Sequence, residues 1–211
     1  MIGYETEEQQ VQAIKQFWKD NGMVIVAGAV VGLGLLWGWR YYNDSKLGAQ
    51  ESASVSYNKS VESFVENQNT EELQSFVDAN SDTGYAPLAA FIIAQQAVDK
   101  QDYVTAKEAL QAAASGDKTI ADIAKLRLAK IQIQLEEYTQ AITTLDSVLS
   151  DAYEGQVEEL RGDALIAQGD FDGAQNAYTK ALALSENNPN LEMKRDNIAY
   201  AKTKNLGDDL E

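Results

Sequence analysis

The hydrophobic pattern changes character twice along this chain. From Asn21 to Trp39 no residue is charged, and apolar side chains fall on every face of a helix. Those nineteen residues at a ~1.5 Å rise cover about 28 Å, near the ~30 Å hydrocarbon thickness of a bilayer. Before this block, "YETEEQQVQAIKQFWKD" (4–20) places Val11, Ile14, Phe17 and Trp18 on one helical stripe. After it, stretches rich in Ala, Gln, Glu, Lys and Leu are interrupted only by Pro87 and Pro189, with none of the alternating Val/Ile/Thr runs that strands require. The pattern predicts an all-α protein: a single N-terminal transmembrane helix followed by a helical-repeat (α-solenoid) domain.

The apolar block differs from a cleaved export signal, because twenty residues precede it and Trp37, Trp39, Tyr41 and Tyr42 mark its C-terminal end in place of a small-x-small site. Those aromatics, with Arg40, suit a membrane–water interface. The expected organisation is an amphipathic segment at 1–20, a span at 21–42 and a water-soluble domain at 43–211. Within the span, Gly28-x-x-x-Gly32 and Gly34-x-x-x-Gly38 offer close approach to another helix, although glycine is also simply common in membrane helices.

The soluble part repeats. "GDALIAQGDFDGAQNAYTKALAL" (162–184) places Gly162, Phe171, Ala174, Tyr178 and Ala181 in a frame that recurs 33 residues earlier as Ala129, Tyr138, Ala141, Leu145 and Val148. A further 35 residues back the frame gives Ala94, Tyr103, Ala106, Leu110 and Ala113. Small residues at two positions allow paired helices to approach, and the aromatic wedges into the turn between them. These are the offsets of tetratricopeptide repeats, predicted near 86–116, 119–150 and 154–185, with an end helix at 190–204. Such hairpins bury their apolar faces only by stacking. Segments 45–68 and 70–80 read as two more helices, the second with Thr70 as N-cap and Glu71 and Glu72 in its first turn.

The inner face of each repeat's first helix is the candidate binding groove: Leu88, Phe91, Ile92, Gln95 and Val98, then Ile123, Leu126, Arg127, Lys130 and Ile133, then Glu159, Leu160, Asp163 and Ile166. In this register it is largely apolar, with Arg127 and Lys130 its only cations. That suits a hydrophobic peptide segment better than a clamped terminal carboxylate, which needs several converging donors. Two alternatives stay open: the same residues are core, or the helices at 45–80 fold over them.

Composition removes other classes. Without His or Cys, the commonest general base, the thiol nucleophile, disulfides and cysteine–zinc sites are all missing, and no phosphate loop or metal-ligand spacing occurs. The chain reads as a non-enzyme with no cofactor. After Asn43, 14 Lys and Arg face 29 Asp and Glu, which accounts for nearly all of the net −16 and argues against nucleic acid. Lys15 and Lys19 before the span balance Arg40 and Lys46 after it, so charge does not set the orientation.

The order of parts, with "YETEEQQVQAIKQFWKDNG" before the span, resembles the bacterial inner-membrane family typified by YfgM, the ancillary subunit of the SecYEG translocon. The resemblance implies a cytoplasmic N-terminus, repeats in the periplasm, and association with SecYEG and with PpiD, a membrane-anchored chaperone of prolyl-isomerase type. It further implies work on newly exported, unfolded polypeptides, and it supplies no catalytic residues. A scaffold for an envelope-assembly or cell-wall complex is the alternative.

Overall fold

The computed structural model describes residues 7–185 and 188–208. The helices among them are α1 (Glu7–Asn67), α2 (Glu71–Ala79), α3 (Ala86–Asp99), α4 (Tyr103–Ala113), α5 (Lys118–Gln134), α6 (Tyr138–Asp146), α7 (Glu154–Ala167), α8 (Phe171–Leu184) and α9 (Pro189–Asp208). A short 3-10 turn, Asp151–Tyr153, precedes α7. Two compact units divide the chain at Ser52/Ala53, and α1 contributes to both. The fold is all-α among the described residues.

In the first unit the amphipathic segment and the apolar block form one helix, beginning at Glu7; Tyr4, Glu5 and Thr6 lie outside the described residues. Among the described residues α1 alone is long and apolar enough to cross a membrane. Its apolar side chains stand exposed, as a lipid-facing helix requires: Val24, Leu33, Leu36 and Trp37 are each about two-thirds exposed or more. Trp18 lies against Gly22, Trp37 stacks on Tyr41 with ring centroids 6.2 Å apart, and Lys46 sits over Tyr42.

Segment 45–68 does not start a new helix; up to Asn67 it is the last part of α1. No proline or cap interrupts the chain there, and Arg40 pairs with Asp44 one turn on (3.8 Å). Thr70 precedes α2 but makes no side-chain cap; Asn69 instead accepts the Glu71 N–H (2.9 Å). Leu73, Phe76 and Val77 of α2 are buried with Ala89, Ala90 and Ile93 of α3, and Tyr57, Val61 and Phe64 of α1 pack against the same cluster.

The second unit is built of hairpins α3–α4, α5–α6 and α7–α8, followed by α9. Their turns share one hydrogen-bond pattern. Gln101 and Asp102 donate to Val98 and Ala97, Glu136 and Glu137 to Ile133 and Gln132, and Gly169 and Asp170 to Ile166 and Leu165. This double closure is the Schellman motif, which needs a left-handed residue just beyond the helix. That residue is Gln101 (φ 59°), Glu136 (φ 62°) or Gly169 (φ 83°). An acidic residue follows in every case: Asp102 caps α4 through the Thr105 N–H (3.1 Å) and Asp170 caps α8 through the Gly173 N–H (2.9 Å). Glu137 instead binds Lys107 across hairpins (2.7 Å).

The small and bulky frame residues form the core, and the turn aromatics Tyr103, Tyr138 and Phe171 are half-buried. Ala94, Ala106 and Leu110, then Ala129, Ala141 and Leu145, then Gly162, Ala174 and Tyr178 are all buried. In the third hairpin the bulky residue is Tyr178 and the small one opposite it is Gly162. A Cβ on Gly162 would overlap the Tyr178 ring, which explains why glycine stands where the other hairpins have alanine. Buried Asp122 on α5 accepts the backbone N–H groups of Leu149 (3.2 Å) and Ser150 (3.1 Å), fixing the connection from α6 to the 3-10 turn.

Candidate functional site

The first helices of the second and third hairpins, together with the 3-10 turn and α9, border an open cavity of about 570 Å³. Ile123, Leu126, Arg127, Lys130 and Ile133 of α5 form one wall; Gln156, Glu159, Leu160 and Asp163 of α7 form the other. Tyr153 and Lys194 complete the lining. Leu126 and Leu160 belong to a buried cluster with Ala129, Ala141 and Leu145, so they are its floor as well as core.

The two walls differ electrostatically. On α7, Lys194 donates to Glu159 (2.8 Å) and to both oxygens of Asp163 (2.9 Å each), and the Tyr178 hydroxyl donates to Asp163 (2.7 Å). Burial, then the hydrogen bond to Asp163, push the Tyr178 phenol far above its ordinary range. Burial works against the Lys194 charge, but the hydrogen bonds and charges of Glu159 and Asp163 outweigh it and raise its pKa. On α5, Arg127 and Lys130 are exposed and have no carboxylate partner among the described residues. The Arg127 guanidinium lies 4.7 Å over the Phe91 ring of α3.

The structure therefore brings together Ile123, Leu126, Arg127, Lys130, Ile133, Glu159, Leu160 and Asp163, and leaves the α3 residues and Ile166 out of the cavity. Phe91, Ile92 and Val98 pack against the cluster that also takes Tyr57, Val61 and Phe64 of α1; Leu88 and Gln95 are exposed, and Gln95 bonds Asp99. Ile166 packs in the core formed with α8 and α9. The expectation of a mostly apolar groove with two cations is corrected. Lys194 arrives from α9, about thirty residues beyond α7, and the lining is mixed in polarity. Sequence reasoning missed Lys194, Tyr153 and Gln156. The available signal was the Glu159/Asp163 pair one helical turn apart, which calls for a cation when half-buried.

In the first unit, Gly28, Gly32, Gly34 and Gly38 each have open space where a Cβ would stand, so the backbone along them is accessible to a neighbouring helix.

Fold and groove together define a tetratricopeptide-like domain carried behind a helix of membrane-spanning length. A family model described as a tetratricopeptide repeat-like domain matches residues 15–200. The ancillary SecYEG translocon subunit of Escherichia coli (strain K12) is 34% identical over 206 residues, covering 93% of this chain and 98% of that protein. The proteins of the same name from Haemophilus influenzae and Aggregatibacter actinomycetemcomitans are 32% and 31% identical over 179 residues, covering 83% of this chain and 88% of each. The chain belongs to this family of ancillary SecYEG translocon subunits, typified by YfgM.

Proposed function

We propose that this chain is a non-enzymatic interaction protein of the bacterial inner membrane, held beside the SecYEG translocon by one span, with its repeats in the periplasm. The observation that carries the reading is the similarity to the E. coli ancillary subunit across 93% of the chain, anchor helix included. A lone span followed by a soluble domain is built to keep that domain near a membrane partner. Confinement raises effective concentration, so weak groove contacts suffice. The acidic domain resists association with aggregation-prone chains emerging beside it. The groove between α5 and α7 then receives a partner segment, from PpiD or from a newly exported polypeptide. Gly28, Gly32, Gly34 and Gly38 form the face on which a translocon helix packs.

The absence of cysteine makes the test clean, since one introduced thiol is a unique label. Gln175→Cys, on the exposed face of α8, is expected to react with a membrane-impermeant maleimide in intact spheroplasts, and the full-length protein to co-purify with SecYEG and PpiD. Protection of that thiol until the membrane is opened would reverse the topology. Co-purification with cell-wall enzymes in place of the translocon would favour the envelope-scaffold alternative.

A further inference from the structure

The geometry points to the chemistry of the groove's occupant: an extended partner segment bearing an internal Asp or Glu side chain beside an apolar residue, its carboxylate held by Arg127 and Lys130. The inference rests on the reading of the groove as a partner site. Arg40, Arg161 and Arg195 each face a carboxylate, at 3.8, 2.8 and 2.8 Å. Among the described residues Arg127 faces none, in a domain where acids outnumber bases by about two to one. Lys130, one turn further along α5, also has none among the described residues. With the guanidinium carbon 4.7 Å from the centre of the Phe91 ring, the head group is held by the aromatic contact while its N–H donors remain available for a carboxylate.

Across the cavity, the carboxylates of Glu159 and Asp163 are already claimed by Lys194 and Tyr178. The lining's three cations against two carboxylates leave it net positive inside a strongly negative protein. Ile123, Leu126, Ile133 and Leu160 supply the apolar contact. The two free cations form a row along one helix. A chain terminus needs donors converging from several elements, whereas a row suits an acidic side chain on a segment running past.

The test uses full-length protein in phosphatidylcholine nanodiscs and a fluorescent nonapeptide, acetylated and amidated at its ends, with a central Leu-Glu-Ile in Gly/Ser flanks. Its Glu→Gln twin and a Gln peptide with a free C-terminus complete the set. The Glu peptide is expected to bind about tenfold tighter than its twin, a difference that shrinks with salt and disappears in Arg127→Gln or Lys130→Gln, both with unchanged far-UV CD. Lys180→Gln, exposed on α8, is expected to leave it intact. Equal binding of Glu and Gln peptides, lost in Ile133→Asp, would overturn the acidic selection and leave the groove standing. Tighter binding of the free-carboxyl Gln peptide would overturn the internal-residue assignment. Binding of no peptide, with no adducts from a photocrosslinker at Lys130 in membranes, would remove the groove reading itself and this inference with it.

Discussion

The second and third hairpins follow one frame and fill it differently. In α5–α6 the small residue opposite Leu145 is Ala129, and the groove-facing charges Arg127 and Lys130 have no carboxylate partner among the described residues. In α7–α8 the small residue is Gly162, the large one is Tyr178, and Glu159 and Asp163 are held by Lys194. One hairpin uses its polar groove residues to fix its own capping helix, and the other keeps them available. The core frame of a repeat is thus separable from its first helix's polar positions, because the frame survives either use of them.

The largest expected effect breaks the third hairpin's packing. Gly162→Ala forces its methyl group into the Tyr178 ring and is expected to cost about 3 kcal/mol in urea unfolding. The double variant Gly162→Ala/Tyr178→Leu, which copies the second hairpin's frame, is expected to recover more than half of that loss. Additive losses in the double variant would refute the compensation.

Removing a held charge ranks next. Asp163→Ala strands the Tyr178 hydroxyl and leaves Lys194 with Glu159 alone, and a loss of about 2 kcal/mol is expected. Arg127→Gln and Lys130→Gln on the other wall are expected to stay within about 0.5 kcal/mol of the parent. Equal losses on the two walls would erase the distinction between them.

The same network gives an alkaline signature. Folding raises the pKa of both Tyr178 and Lys194. Their contributions are therefore complete below the unfolded values of about 10 and lost as pH rises above them, when the unfolded chain ionises its tyrosine and releases its lysine proton while the folded chain resists both. Stability is expected to fall above about pH 10, and Tyr178→Phe to flatten the fall. A profile unchanged by that substitution would contradict it. Asp102, lowered by its hydrogen bonds from Thr105, acts in the opposite window: its contribution is present above about pH 4 and fades as pH falls.

The turns give the smallest effect. Gln101→Gly and Glu136→Gly place glycine in a left-handed conformation that the third hairpin already assigns to Gly169. Each is expected to add about 0.5–1 kcal/mol, and Gly169→Ala to subtract about 1. Thermal melts of the three variants check the ordering.

Much of this fold was legible because the frame residues combine local turn chemistry with helix packing. Asp102-Tyr103, Glu137-Tyr138 and Asp170-Phe171 mark turns wherever they stand, and the small residue nine positions before each aromatic marks the close approach of paired helices. The continuity of α1 through residues 45–67 was harder to read, because a polar, Ser- and Ala-rich stretch gives no periodic signal distinguishing a continued helix from a new one. The α5 wall of the groove was readable from one helix's register. The other wall was not, because its charge depends on Lys194, whose place against Glu159 and Asp163 is set by how α9 docks on α7 and α8. The covering of Phe91 and Ile92 had the same origin, in the tertiary path of α1 and α2.

We propose that the groove between α5 and α7 receives a partner beside the translocon. A photoreactive residue at Lys130, compared with one at Gln175 on α8, in intact membranes tests it most directly. Adducts to PpiD, a translocon subunit or an exported chain are expected from Lys130 and not from Gln175. Equal adduct patterns at the two positions, or adducts to cytoplasmic proteins, would contradict it.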